Sequence, residues 1–267
     1  MKDMQNVKLN ISSVKIKEVK ISLDKDFLLE TSEVDIFSCY TPNFIELKSE
    51  LVKFLNAEEL ERCERFHKEI DRNQFVIYRS ILKIILSAYT QMKAKKICFD
   101  YQLNKKPYLA SHPWLNFNIS HSGDYAVIAI SRIKVGIDIE YMAEDQDYTN
   151  LLIDIFSPKE ILNIKNAVDQ KKAFYTSWTR KEAFVKALGK GIDDDFIHIP
   201  CLDGNHTIDV SLLKNNKSWQ IYSFNLAEDY SSAVCMEGLP SNSKNLIMYK
   251  VPNTMKELLE LSQIRNN

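Results

Sequence analysis

The chain has 267 residues, 45% of them hydrophobic, and a formal net charge of −1. This length suits one large domain or two small ones, and the composition excludes a disordered or fibrous chain. The near-neutral balance gives no bulk attraction to nucleic acid, so no nucleic-acid partner is expected.

Residues 1–33 alternate weakly, as in VKLNISSVKIKEVKISL, and read as strands or as an N-terminal extension. VDIFSCY (34–40) reads as a short buried strand. NAEELERCER opens with a possible cap at Asn56 and predicts a helix to Arg65. Asp71 to Met92 carries apolar residues at helical spacing, with Phe75, Ile81, Ile85 and Tyr89 on or near the buried face. KICFDYQLNKKPYLA predicts strand, turn and strand, with Asn104 to Pro107 as the turn. Phe117 to Ile119 and Ala126 to Ser131 read as strands flanking Ser120-His121-Ser122-Gly123, and Val135 to Glu140 as a third strand. Ser157 and Pro158 start a helix, and Lys171 to Leu188 form a long one ended by Gly189. IHIP (197–200), WQIYSFNL and SSAVCMEG suit an antiparallel sheet, and Met255 to Ile264 a last helix capped by Thr254.

Strands and helices mix without regular βαβ alternation, so the fold class expected is α+β. The division expected is an N-terminal extension (1–33), an N-terminal subdomain (34–134) and a C-terminal subdomain (135–267). The order of elements in the last two is loosely similar. The five cysteines are odd in number and form no C-x-x-C pair, which argues against disulfides and zinc. The N-terminus lacks a signal-peptide core, and no apolar run reaches the roughly 18 residues of a membrane span. A soluble, cytoplasmic protein with no membrane partner is expected.

The candidate chemistry lies where glycine is concentrated: four of the six glycines fall between residues 118 and 192. In GIDIE, Asp138 and Glu140 share one strand face while Ile137 and Ile139 turn to the core. Two adjacent carboxylates repel unless a proton or cation sits between them. Read alone, the pair suits either a solvated strand edge or a cation site. Glu182 and Lys186 stand at i and i+4 among Arg180, Lys181 and Lys190, which fits a wet helical ion pair or a metal ligand beside phosphates. Ser120-His121 is no hydrolase pair, since adjacent side chains diverge on an extended backbone. It reads as a polar hairpin turn or as a phosphate-binding loop. No Walker A motif, Rossmann fingerprint or nucleophile elbow occurs.

FNISHSGDYAVIAI (117–130), VGIDIE (135–140) and WTRKEAFVKALGKGI (178–192), in that order, closely resemble the motifs of the surfactin-type 4'-phosphopantetheinyl transferases. The resemblance runs from about residue 34 to about 240. It implies two similar α+β subdomains related by a pseudo-twofold axis, with the active site and coenzyme A at their junction, in a monomer. It implies that Asp138, Glu140 and Glu182 hold magnesium, or manganese in its place. His121 and Arg72 are expected at the 3'-phosphate, Lys106 and Pro107 beside the adenine, and Ser120 beside the nucleotide. Lys186 is expected at the pyrophosphate, with Lys181 a further candidate in the same signature. Arg62 is expected to act alone, because Glu59 stands where relatives often carry lysine. Lys105 replaces the glycine of the relatives' G-K-P turn, and residues 1–33 have no counterpart.

The implied reaction moves the phosphopantetheine group of coenzyme A to a serine of an apo acyl or peptidyl carrier protein, with Asp138, Glu182 and Lys186 catalytic and Glu182 the candidate base. The carriers served would belong to peptide, polyketide or fatty-acid synthesis. The competing readings are another magnesium-dependent phosphoryl-transfer enzyme or hydrolase, and a non-catalytic nucleotide-binding module.

Overall fold

The computed structural model describes residues 6–22, 27, 29, 33–144, 147–210, 213, 216–238 and 246–262. Its strands are β1 (Asn6–Ser13), β2 (Ile16–Lys20), β3 (Val34–Tyr40), β4 (Asp100–Tyr101), β5 (Pro107–Tyr108), β6 (Asn116–Ser122), β7 (Tyr125–Ser131), β8 (Val135–Tyr141), β9 (Gly204–Asp209), β10 (Trp219–Ala227), β11 (Tyr230–Glu237) and β12 (Leu246–Lys250). Its α-helices are α1 (Lys48–Leu51), α2 (Ala57–Glu64), α3 (Glu69–Thr90), α4 (Leu152–Ile155), α5 (Pro158–Asn166), α6 (Gln170–Leu188) and α7 (Met255–Leu261).

Local chemistry sets the helix ends. Asn56 and Glu59 form a capping box at α2, and Ser157 and Glu160 repeat it at α5 just before Pro158. Gly189, at φ +69°, closes α6 in the left-handed conformation that glycine adopts without steric cost.

The two halves share one connectivity. In the first, β3, α3, β6 and β7 run in sequence and β7 lies between β3 and β6. In the second, β8, α6, β10 and β11 repeat the order, with β11 between β8 and β10. The long helix α3 packs Ile77, Ile81 and Ile85 with Phe37, Phe117 and Ile128. The helix α6 packs Ala183 and Phe184 with Ile221 and Cys235. A third cluster, including Ile36 and Val127 of one sheet and Ile137 and Ile139 of the other, joins the sheets. The α+β expectation holds, in helix, sheet, sheet, helix layers.

The N-terminal segment is not an appended extension. β1 lies between β9 and β10, and β2 pairs with β12. Its alternation is the cause: Val7, Leu9 and Ile11 are buried on one face of β1 while Lys8 is exposed on the other. The C-terminal end crosses the other way. β12 lies between β2 and β3, and Leu258 and Leu261 of α7 join the core under α3.

Three local expectations change. Ser120, His121 and Ser122 belong to β6, and the turn is confined to Gly123-Asp124. The IHIP segment overlaps a 3-10 turn (Asp194–His198), and the neighbouring strand is β9. The last helix ends at Leu261, and the predicted positions past 262 lie outside the described residues. Among the described residues no helix is long and apolar enough to cross a membrane.

Candidate active site

The edge strands β6 and β8 meet where the two sheets adjoin, and side chains lace the seam. Asn118 Oδ1 accepts from the Ile137 amide at 2.8 Å. Ser120 Oγ donates to Asp138 Oδ1 at 2.9 Å. Ser122 Oγ donates to Glu140 Oε2 at 3.0 Å and accepts from the Tyr141 amide at 3.0 Å. Residues 118, 120 and 122 share one face of β6, so a polar pattern of period 2 meets Asp138 and Glu140, which share a face of β8.

α6 lies directly on β8. A Cβ added at Gly136 would stand 2.2 Å from the Ala183 carbonyl and 2.3 Å from the Ala187 amide, so only glycine admits this approach. The close packing delivers Glu182 and Lys186 to the carboxylates. Lys186 Nζ lies 2.5 Å from Asp138 Oδ1, 3.0 Å from Ser120 Oγ and 4.0 Å from Glu182 Oε2. Burial pushes Glu182 up to about 7; Lys186 opposes the shift, and Asp138 and Glu140 add to it. Burial, then the Asp138 charge, also raises Glu140, although Ser122 and Trp178 donate to it.

These residues suit a hard cation. Asp138 is 1% exposed, and its Oδ2 has no hydrogen-bond partner among the described residues. A buried carboxylate oxygen left bare is costly unless a positive group meets it. The donors are carboxylate oxygens, the ligands magnesium and manganese prefer. Among the described residues, no three His, Cys, Asp or Glu side chains stand together so that they could hold a metal ion as they are placed.

The other face of β6 opens on a cleft of about 390 Å³ that Arg62, Phe75, Tyr78, Arg79, Tyr101, Lys105, Pro107 and His121 help to line. His121 lies against Tyr78, with ring centroids 4.9 Å apart. Burial, then Lys186, lowers its pKa, with Asp71 opposing. Arg62 sits over the Phe75 ring at 4.9 Å. Lys105 adopts φ +60°, in the left-handed region that favours glycine. Arg79 is a residue the sequence reading missed. Its guanidinium lies 4.5 Å from the Phe99 centroid, donates to Tyr101 Oη at 3.3 Å and faces Glu59 at 3.7 Å. Its signal was the i, i+4 spacing from Phe75 on the predicted helix.

Other expected ligands lie elsewhere. Lys181 is fully buried, 3.2 Å from Glu160 Oε2, and donates to the carbonyls of Phe196 and Ile197. It faces the C-terminal core because helical spacing turns it away from Glu182 and Lys186. The Lys106 ammonium donates to the carbonyls of Val135 (2.9 Å) and Lys186 (2.6 Å), so Pro107 and Lys105, rather than the Lys106 side chain, line the cleft. Arg72 Nη2 is 3.4 Å from the Phe66 carbonyl, and Arg72 does not line the cleft. Glu59 pairs with Lys83 at 2.7 Å and so is committed to structure.

A family model described as 4'-phosphopantetheinyl transferase, N-terminal, matches residues 40–133, and one described as the 4'-phosphopantetheinyl transferase superfamily matches residues 134–235. A 4'-phosphopantetheinyl transferase of Bacillus subtilis is 31% identical over 185 residues, 68% of this chain and 81% of the relative. The 4'-phosphopantetheinyl transferase Sfp of the same species is 28% identical over 71% of this chain and 85% of its own length. The 4'-phosphopantetheinyl transferase HetI of Nostoc sp. is 35% identical over 54% of this chain, and the chain spans 63% of that relative's length. The chain belongs to the 4'-phosphopantetheinyl transferase superfamily.

Proposed function

We propose that the chain transfers the 4'-phosphopantetheine group of coenzyme A to a serine hydroxyl of an apo acyl or peptidyl carrier protein, releasing 3',5'-ADP. The observation that carries this reading is the division of labour across β6. An aromatic and cationic cleft occupies one face, and three carboxylates with Lys186 gather at the seam on the other.

The cleft suits the nucleotide. Its aromatic rings and Pro107 offer flat apolar surface for a base, and Arg62, Lys105 and His121 offer charge or donors for the 3'-phosphate. Asp138, Glu140 and Glu182 would hold magnesium, which supplies charge stabilisation for a pyrophosphate leaving group. Lys186 places a second positive charge beside the same carboxylates, where the pyrophosphate would lie. Glu182 takes the carrier serine's proton, directly or through water. The new bond joins the serine oxygen to the β-phosphorus. The bond broken joins that phosphorus to its bridging oxygen, which leaves with 3',5'-ADP.

The test is incubation with coenzyme A, magnesium and an apo carrier protein. The expected result is a carrier heavier by one phosphopantetheine with 3',5'-ADP released in equal amount. Coenzyme A cleavage without a heavier carrier would instead make the protein a nucleotide hydrolase. Binding of coenzyme A without any turnover would make it a non-catalytic module.

A further inference from the structure

We propose that Lys106 is a positioning residue, a half-buried clamp that holds the strand bearing Asp138 and Glu140, the helix bearing Glu182 and Lys186, and the cleft turn in one register. The inference rests on the proposed function for its kinetic part and on geometry for the rest. Lys106 Nζ donates to the carbonyl of Val135, the first residue of β8, and to that of Lys186, in the last turn of α6. Its own backbone belongs to the turn between β4 and β5, closed by bonds from the Gln102 amide to the Lys106 carbonyl and from the Lys105 amide to the Gln102 carbonyl. The next residues on either side, Lys105 and Pro107, line the cleft.

The site needs such a clamp for a physical reason. The last carbonyls of a helix have no partner within it, and a cation there satisfies both the carbonyls and the negative end of the dipole. The Lys186 carbonyl receives a 3.2 Å bond from the Gly189 amide and the 2.6 Å bond from Lys106. The same turn makes a second contact: Asn104 Nδ2 donates to the Gly189 carbonyl at 3.2 Å. The side chain of Gln102 approaches so closely that a Cβ on Gly189 would lie 2.3 Å from its Oε1. The turn from the N-terminal half is therefore seated on the end of α6, and the Lys186 backbone is fixed from the half that provides the cleft.

A residue that touched the nucleotide would act mainly on KM for coenzyme A. A residue that positions Lys186 and the carboxylates should act mainly on kcat. The Lys106→Met variant keeps the aliphatic stem and removes the donor. Its kcat should fall about tenfold to a hundredfold while KM for coenzyme A changes less than about threefold. Lys106→Arg, which keeps charge and donors, should recover part of the loss. Hydrogen exchange supplies a readout independent of activity. In Lys106→Met the amides of Gly189 and Lys190 should exchange faster, while those in the first turns of α6 keep wild-type rates. If Lys106→Met does not fold, Asn104→Ala, which removes an exposed contact, carries the same two readouts at smaller amplitude.

A raised KM with unchanged kcat would overturn the proposal and place the Lys106 ammonium on the nucleotide. Faster exchange with unchanged kcat would also overturn it, since the clamp would then hold the helix end without positioning the site. Unchanged exchange would remove the clamp itself. A wild-type protein without transfer activity would refute the functional reading alone, because the exchange comparison would still report on the clamp.

Discussion

Lys186 Nζ and Asp138 Oδ1 stand 2.5 Å apart, the ammonium 29% exposed and the carboxylate 1% exposed. Ser120 Oγ donates to the same Oδ1, while Oδ2 has no partner among the described residues. One oxygen is thus satisfied twice and the other not at all. Burial first, with the Asp138 charge adding to it, keeps Glu140 and Glu182 raised even though Lys186 opposes both shifts. Under the proposed function, Asp138 would serve both Lys186 and the divalent cation beside the pyrophosphate.

Asp138→Ala, Glu140→Ala and Glu182→Ala should each lower transfer by about a hundredfold or more while leaving the far-UV spectrum unchanged. If the three carboxylates act as one unit, as the proposed function requires, the double variants should be little worse than the singles. The check is initial rate against magnesium concentration. One variant with near-normal rate at ordinary magnesium would show that the three do not form a single cation site.

Gly136→Ala should cost about 3 kcal/mol or more, measured as the shift in urea unfolding. The added Cβ meets the Ala183 carbonyl and the Ala187 amide, both backbone atoms that no rotamer change can move. Relief requires α6 to lift from β8, which would also displace Glu182 and Lys186. A variant with wild-type stability would mean that the strand and helix are less closely seated than described.

Acid sensitivity should trace to Glu160. Burial alone would raise its pKa, but Lys181 and bonds from the Ser157 and Cys201 amides hold it below the ordinary carboxylate value. A folded pKa below the unfolded one gives stability that is fully present above the unfolded value and is lost as pH falls through the folded one. Protonation would leave the Lys181 ammonium buried without its counter-charge. Glu160→Gln should therefore cost about 3–5 kcal/mol at neutral pH and flatten the decline of stability below about pH 4. Urea unfolding of both proteins from neutral to acidic pH makes the comparison. An equally steep acid decline in Glu160→Gln would assign it to other groups.

What was legible in the sequence follows from how local each determinant is. Capping boxes and the Gly189 terminus are set by neighbours within a turn, so the helices fell close to their predicted bounds. The alternation of GIDIE put Asp138 and Glu140 on one face without knowledge of the partner strand. The seam was not legible, because Asn118 reads as part of a short strand and Ser120 and Ser122 as a turn until β8 lies beside them. Lysine placement was the least legible. Lys181 and Lys186 share one helix, yet one meets Glu160 and the other Asp138, and only tertiary neighbours decide which. The pairing of the terminal segments was hidden for the same reason: residues 1–33 read as strands or as an extension, and only the fold sets β1 beside β10 and β12 beside β3.

The role of His121 gives the sharpest separation between binding and chemistry. Its ring lies tilted against Tyr78 on the cleft face of β6, opposite the face that meets Asp138 and Glu140. Burial and Lys186 lower its pKa in the free protein, so an anion must arrive before the charged form is favoured. Binding of the 3'-phosphate should therefore take up a proton, and KM for coenzyme A should rise with pH above the free-protein pKa. A charge-assisted bond of this kind contributes about 1.5–3 kcal/mol, or roughly tenfold to a hundredfold in affinity. That phosphate is remote from the reacting phosphorus, so His121→Ala should raise KM and spare kcat. Dephospho-coenzyme A, which lacks the 3'-phosphate, supplies the control. His121→Ala should weaken use of coenzyme A by that factor and leave use of the dephospho form nearly unchanged, so that the two deletions are coupled in a double-mutant cycle. Equal losses with both substrates would assign His121 to shaping the β6–β7 hairpin or to the chemistry at the seam.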